Sequence, residues 1–228
     1  MHELAKQFAA YCERTFDITT QSDYSYQSLS VCILDCVYSL RTKYTAVTIP
    51  IIERYAAAYM DGNAQSSGDT VSMLLHRMEE KGPAAFAENI LQNHQKLGGK
   101  HQIPKEDVCY QLARYLRDLH IETIENFQNF ESQEILEIVI HAVHGLGDAG
   151  VNYLFMLAGD PNRCKPDVHI HHCILDACDL TVSNEACQIL FADAVELLRP
   201  KYPNLTVRGL DGIIWRAYQT GEVKPKSL

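Results

Sequence analysis

The residues best suited to chemistry lie in two neighbouring stretches in the second half of the chain. Residues 144–150 read His-Gly-Leu-Gly-Asp-Ala-Gly. Their three glycines favour a tight turn and allow a ligand to approach the backbone closely. Residues 165–172 read Lys-Pro-Asp-Val-His-Ile-His-His, with a single carboxylate, Asp167, directly after Pro166. A turn that exposes backbone N–H groups can bind an anion, and one positioned carboxylate can assist a hydrolysis.

Helices must position both stretches, because apolar residues recur at steps of three and four along most of the chain. Residues 26–40 show the strongest pattern of this kind. After Asp167, the same pattern predicts helices over about 168–178, 184–198 and 207–219. No segment alternates convincingly between apolar and polar residues, so the sequence predicts an all-α protein.

Proline and glycine mark the ends of several predicted helices. Pro50 is expected in the first turn of its helix, where a missing N–H costs little. A further helix is predicted to begin at residues 82–83 (Gly-Pro) and to end at residues 98–99 (Gly-Gly), with Leu97 on its apolar face.

The glycine-containing stretch predicts a hairpin between two helices. One helix is expected to end near Val143 and the next to start near Asp148. The first N–H groups of a helix have no partner within it and lie at the positive end of its dipole. The turn is therefore suited to one phosphate of a nucleic-acid backbone. An ordinary glycine-rich turn between two helices is the alternative that the spacing leaves open.

Residues 143–147, Val-His-Gly-Leu-Gly, and residues 166–169, Pro-Asp-Val-His, are separated by one helix-length apolar run. This arrangement resembles the helix–hairpin–helix–GPD superfamily of DNA glycosylases, which includes endonuclease III and the adenine glycosylase MutY. The upstream helices and the closing residues 210–215 also fit that pattern. The specific motifs cover only a small part of the chain.

The resemblance implies an all-α, two-lobe, helix–hairpin–helix DNA glycosylase-like fold. Residues 25–163 would form a six-helix-barrel-like lobe that ends in the hairpin, and residues 1–24 with 164–228 would form the second lobe. It also implies a reaction, the hydrolysis of an N-glycosidic bond on a flipped nucleotide. The partner would be duplex DNA with a modified or mismatched base, and we expect the protein to be a monomer.

Asp167 would be the catalytic residue of such an enzyme. A glycosylase must stabilise an oxocarbenium-like sugar as the base departs, and it must orient or deprotonate a water molecule. One carboxylate near the anomeric carbon can serve both needs. The alternative is that Asp167 only caps the helix that starts at Val168, a common role for aspartate.

The resemblance further implies DNA contacts from the hairpin and from the aspartate turn, namely Gly145, Leu146, Gly147, Asp148, Ala149, Gly150 and His169. It places the pocket for the extruded base at the junction of the second and third helices. There Tyr38, Arg41 and Tyr44 offer aromatic stacking and hydrogen bonds to base edges. Alternatively, Tyr38 belongs to the core and Arg41 to a solvated loop.

The chain departs from the superfamily pattern at three points. Ala149 stands where relatives with lyase activity carry a Schiff-base lysine, so any activity should be monofunctional. The last four cysteines, ending at Cys187, lack the spacing of the iron–sulfur loop of many relatives, so no cluster is expected. Asp148 places a negative charge where a phosphate would approach, which weakens the expectation of DNA binding.

The charge distribution is uneven. The 228-residue chain has a net charge of −9, which argues mildly against a nucleic-acid partner. Residues 106–160 carry ten acidic and two basic residues and supply most of that charge. Residues 196–228 carry six basic and three acidic residues, so the protein can still present a basic face.

The remaining composition predicts a cytoplasmic protein without a membrane segment or a cofactor. There is no run of about 18 apolar residues and no signal-peptide pattern. The eight cysteines are expected to be free, buried thiols. His169 and His172 share a helical face, but no carboxylate pair accompanies them at a recognised ligand spacing, so no metal is expected.

Three functional hypotheses therefore stand. The first is a monofunctional DNA glycosylase-like enzyme that uses Asp167. The second is a non-catalytic DNA-binding module on the same scaffold, in which Asp167 is only a helix cap. The third is a helical protein without a nucleic-acid role, which would bind a metal through its histidines.

Overall fold

A computed structural model describes residues 2–20, 25–98 and 102–225. It is mostly helical with almost no strand, which confirms the predicted all-α class. The elements in chain order are α1 (His2–Thr15), a 3₁₀ turn (Ile18–Thr20), α2 (Leu29–Tyr38), α3 (Tyr44–Tyr59), α4 (Val71–Lys81), α5 (Pro83–Phe86), a π-helical turn (Ala87–Leu91), β1 (Lys96–Leu97), β2 (Ile103–Pro104), α6 (Lys105–Asp118), α7 (Ile124–Gln128), α8 (Gln133–His141), α9 (Asp148–Leu157), α10 (Val168–Cys178), α11 (Asn184–Leu198) and α12 (Val207–Thr220).

Side-chain caps explain where many of these helices begin. In each case a hydroxyl or carboxylate oxygen accepts a hydrogen bond from a backbone N–H of the first turn, which stabilises the helix by about 1 kcal/mol. The residues that cap in this way are Thr70, Thr123, Ser132, Asp167, Ser183 and Thr206. The helices after Asp167 consequently start at the positions that the sequence predicts.

Two helical predictions were wrong. Pro50 lies well inside α3 rather than in its first turn. Burial of Ile51 and Tyr55 against the core outweighs the hydrogen bond and the steric freedom lost at an interior proline, about 3 kcal/mol. The helix predicted to reach Leu97 ends at Leu91, because Gln92 adopts a left-handed conformation with φ 51°.

After Gln92 the chain forms a short two-stranded ladder. β1 pairs antiparallel with β2, with Leu97 opposite Ile103. Leu97 is 3% exposed and belongs to the hydrophobic core. Tertiary burial of Leu97 thus overrides the local helical pattern of this segment.

The chain divides into two compact units. The hairpin unit comprises Ser25–Gly159, and the aspartate unit comprises Met1–Tyr24 together with Asp160–Leu228. The boundary thus lies between Gly159 and Asp160, whereas the predicted lobes met between residues 163 and 164.

Each unit has its own hydrophobic core. In the hairpin unit, α2 is buried along its entire length and packs against α3, α6 and α9. In the aspartate unit, α1 packs against α10 and α11, and α12 packs against the same two helices. In both units the core therefore forms between helices, through the apolar faces that the sequence pattern indicates.

The cysteines are free and buried, as predicted. Burial raises the pKa of the Cys178 thiol to about 11 and that of Cys187 to about 12, so both are protonated at neutral pH. Within the described ranges, no helix is long and apolar enough to cross a bilayer.

Candidate functional site

The predicted hairpin lies between α8 and α9. The backbone N–H of Leu146 donates to the carbonyl of Val143 over 3.1 Å, which closes the turn. Gly145 has a φ of 96°, a conformation that favours glycine. A Cβ at this position would lie 3.4 Å from Val108 Cγ2 and 3.7 Å from Ile103 Cδ1. The glycine thus allows the turn to lie directly against α6 and β2.

Two of the predicted hairpin contacts point into the hairpin unit. Leu146 is 3% exposed, and a Cβ on Gly150 would lie only 2.6 Å from Leu146 Cδ1. The thiol of Cys36 on α2 donates to the carbonyl of Gly150 over 3.1 Å. The carbonyl of Gly150 therefore ties the hairpin to α2, and the side chain of Leu146 is too buried to contact a ligand.

The exposed part of the hairpin is the start of α9. Gly147 is the N-cap, and its carbonyl accepts from Gly150 and Val151. The N–H of Ala149 has no acceptor among the described residues, and a Cβ on Gly147 would meet nothing within 4 Å. This helix end is open to an approaching ligand at Gly147 and Ala149.

Asp148 lies beside this open helix end, and it is more than half exposed. Its Oδ1 lies 3.8 Å from Nε2 of His141, the last residue of α8. When His141 is protonated, its charge offsets that of Asp148. The protonated imidazole of His141 would then reduce the repulsion between Asp148 and a phosphate.

Tyr38 does not lie on the surface of the predicted base pocket. It is fully buried at the end of α2, and burial raises the pKa of its hydroxyl far above the ordinary value. Its ring packs beside the amine of Lys105, which lies 5.7 Å from the ring centroid. The ring is therefore unavailable to stack on a base, which is the core alternative stated above for this residue.

Arg41 and Tyr44 lie in and after the loop that follows α2. Arg41 is exposed and has a φ of 53°. The hydroxyl of Tyr44 donates to Oδ2 of the buried Asp35 over 2.6 Å, and the hydroxyl of Tyr26 donates to the same oxygen over 2.7 Å. Asp35 thus fixes the ring of Tyr44, a link that a sequence pattern does not reveal.

Lys105 anchors the same loop from the start of α6. The side chain is 1% exposed, and its amine donates to the carbonyls of Tyr38 (3.0 Å) and Leu40 (2.9 Å) and to Oε1 of Gln95 (2.9 Å). Lysine near a helix C-terminus satisfies carbonyls that have no partner within the helix. The only sequence signal was a charged residue directly after Pro104, at a position where the helix faces the core.

In the aspartate unit, Asp167 ends a tight turn and caps α10. Its N–H donates to the carbonyl of Lys165 over 2.7 Å, so the turn closes around Pro166. Its Oδ1 accepts from the N–H groups of His169 (2.9 Å) and Ile170 (3.2 Å). Oδ2 receives no hydrogen bond from any residue that the structure describes. Capping thus occupies only one of the two carboxylate oxygens.

A buried acid on α12, which spacing and residue type do not single out in the sequence, also holds this turn. Asp211 on α12 is 5% exposed, and its Oδ2 accepts from the N–H of Lys165 over 2.8 Å. Burial raises the pKa of Asp211 well above its ordinary value, and the nearby charge of Asp167 raises it further. The signal in the sequence was an acid at an apolar position of the predicted helix over 207–219.

His169 and His171 on α10 contact different side chains. The ring of His169 lies perpendicular to that of Trp215, with centroids 6.5 Å apart. His171 is within hydrogen-bond distance of Asn184 through Nε2 (3.0 Å) and contacts the thiol of Cys187 through Nδ1 (3.8 Å). Over the described ranges, no group of three His, Cys, Asp or Glu side chains is arranged to hold a metal ion.

Comparison with known proteins gives a family but no function. Residues 3–219 match the model of a family described as "Domain of unknown function (DUF8548)", so the chain belongs to this family. Neither the curated proteins nor the solved structures provide a match.

Proposed function

We propose that this member of the DUF8548 family is a monofunctional DNA glycosylase-like hydrolase. Its substrate would be a duplex with a modified or mismatched base, and the reaction would take place on a flipped nucleotide. The observation that carries this proposal is the geometry of Asp167. Two backbone N–H groups hold Oδ1, while Oδ2 accepts from no described residue.

The carboxylate would act on the sugar. As the bond between C1′ and the base nitrogen breaks, its electron pair leaves with the base and positive charge develops on the sugar. The fixed carboxylate stabilises that charge without a reorganisation cost at the moment of reaction. Water then forms the new bond to C1′. Its proton passes to the carboxylate or to solvent, and the departing base takes up a proton.

The hairpin would hold the DNA backbone. The open N–H of Ala149 and the bare N-cap Gly147 support binding of one phosphate oxygen at the positive end of α9. His141 reduces the repulsion from Asp148 when it is protonated. Binding of this kind weakens as salt is added, because counterions are released from the DNA.

The side chains around the hairpin support a reaction without strand cleavage. Ala149 has no amine to attack C1′, in contrast to the lysine of bifunctional glycosylases of the superfamily that the chain resembles. Lys105 belongs to the same unit, but its amine already donates to three fixed acceptors, so it serves the loop rather than a Schiff base. The product would be an abasic site in an unbroken strand.

Asp167→Asn tests the proposal, because asparagine keeps the cap and removes the negative charge. We expect single-turnover formation of alkali-labile abasic sites to fall at least a hundredfold, while the Kd for the same duplex changes less than threefold. Ser183→Ala is the matched control, since it removes the cap of α11 in the same unit and should leave excision unchanged. Equal excision by Asp167→Asn and the parent protein contradicts the catalytic role.

A second candidate is a non-catalytic DNA-binding module. The observation that favours it is that the capping hydrogen bonds alone account for an aspartate at position 167. Such a protein binds duplex DNA with a steep salt dependence and releases no base from any substrate of a broad lesion panel.

A further inference from the structure

We propose that Asp211 is a positioning residue for Asp167. From α12 it holds the turn Lys165-Pro166-Asp167 and thereby sets the direction of the Asp167 carboxylate. The effect on catalysis rests on the function proposed above, whereas the link between the two aspartates depends only on the aspartate unit.

The link is a continuous chain of hydrogen bonds. The N–H of Lys165 donates to Oδ2 of Asp211 over 2.8 Å, and the carbonyl of Lys165 accepts from the N–H of Asp167 over 2.7 Å. Both bonds are made by Lys165, and Pro166 lies inside the turn that the second bond closes, where its ring fixes φ. Oδ1 of Asp167 then accepts from the N–H groups of His169 and Ile170. Every step from α12 to the start of α10 is therefore a defined contact.

Other contacts keep the segment before the turn in place but do not reach Asp167. The N–H of Arg208 donates to the carbonyl of Pro161 over 3.0 Å. The N–H of Cys164 donates to Oε1 of Gln188 over 3.0 Å, and the amide of Gln188 donates back to the carbonyl of Cys164. Among the described residues, Asp211 is the side chain that bonds the Lys165 N–H, at the base of the turn.

The charge state of Asp211 suits this role. The titratable groups shown to interact electrostatically with it, within the described part of the chain, are Asp167, Lys165 and Cys164, all on the segment before α10. Burial and the charge of Asp167 raise its pKa, and the N–H and side-chain charge of Lys165 lower it in part. These influences favour the neutral form of Asp211. A neutral carboxyl still offers Oδ2 as an acceptor for the N–H of Lys165, so the anchoring of the turn does not require Asp211 to be charged.

The first test does not depend on DNA. In Asp211→Ala, we expect amide hydrogen exchange at Lys165 and Asp167 to accelerate at least tenfold, while Asp211→Asn keeps most of the protection. Asp176→Ala is the matched control, because Asp176 is also a buried acid of this unit but accepts from the hydroxyl of Tyr218 instead. Unchanged exchange in Asp211→Ala, or equal acceleration in the control, overturns the link.

Carbon-13 NMR titration keeps the inference testable if Asp211→Ala does not fold. The pKa of Asp211 should fall in Asp167→Asn, because the neighbouring charge is removed, and should not change in Asp176→Asn. The same titration in both variants overturns the pairing of the two aspartates.

Catalysis provides the last readout. With duplex saturating, we expect Asp211→Ala to lower the single-turnover rate at least tenfold with less than a threefold change in Kd. Asp211→Asn should restore the rate to within threefold of the parent. If Asp211→Ala weakens duplex binding as much as it lowers the rate, or if Asp211→Asn does not restore the rate, the positioning role of Asp211 is contradicted. If the parent protein releases no base while the exchange difference persists, the proposed function fails and the anchoring of the turn is supported.

Discussion

Replacing Asp211 with asparagine should change how the stability of the aspartate unit depends on pH. In the folded protein, burial and Asp167 raise the pKa of Asp211 well above its ordinary value. In the unfolded chain the same carboxyl ionises near pH 3.9. Between these two pKa values the folded state binds a proton that the unfolded state has lost. The stability linked to Asp211 is therefore complete at low pH and declines as pH rises through the folded-state pKa.

The size of the effect follows from proton linkage. One proton held only by the folded state lowers the free energy of unfolding by about 1.4 kcal/mol per pH unit. Asp211→Asn has no such proton and can still accept from the N–H of Lys165. The variant should thus gain on the parent protein by about that amount per unit from pH 5 upward, until the folded-state pKa is passed.

Urea denaturation monitored by tryptophan fluorescence measures this difference. Trp215 is the chain's single tryptophan and lies on α12 with Asp211, so its signal reports the unit in question. When both proteins also carry Asp167→Asn, the pH range over which their stabilities diverge should be shorter, because the charge of Asp167 raises the pKa of Asp211. Parallel stability curves for the parent and Asp211→Asn from about pH 4 upward refute the reasoning.

Three further predictions concern the hairpin unit. Gly150→Ala should destabilise the unit by about 1–3 kcal/mol, because the new Cβ would lie 2.6 Å from Leu146 Cδ1. Gly147→Ala should cost less, because its Cβ would meet no atom within 4 Å, and thermal unfolding compares the two variants. Lys105→Met should cost about 2–4 kcal/mol, because the carbonyls of Tyr38 and Leu40 at and after the end of α2 lose their donor. An unchanged urea midpoint would contradict this. Arg41→Ala should weaken duplex binding and reduce its salt slope by about 1 if the exposed guanidinium contacts a phosphate, and an unchanged slope places this side chain away from the DNA.

Local signals in the sequence were sufficient to predict α10, α11 and α12. Asp167, Ser183 and Thr206 each precede a segment in which apolar residues recur at steps of three and four, and each caps a helix in the structure. These features act within one turn of the chain, so they can be recognised without knowledge of the rest of the fold.

Features that depend on distant residues were not predicted. Leu97 leaves the helical pattern because it is buried in the core near Gly145, far along the chain. Tyr38 has the residue type of a base-stacking side chain, but the aromatic character of a residue does not indicate which face of α2 is covered. In this fold all of α2 is covered.

The candidate site shows the same limit. The hairpin glycines and Asp167 could be chosen from spacing and residue type. The roles of Asp211 and Lys105 could not, because each depends on a hydrogen bond to a backbone group on another element. Buried polar residues at apolar positions of predicted helices are the signal to follow in such cases, since burial of a polar group requires a partner.

The central claim is that Asp167 assists release of a base from DNA. The most direct measurement is the mass spectrometric identification of free bases released from DNA that carries a mixture of lesions, with the parent protein and Asp167→Asn in parallel. We predict that the parent protein releases at least one modified or mismatched base and leaves the strand unbroken, while the variant releases none above background. Identical release by both proteins, or no release by the parent across the whole mixture, would contradict the claim.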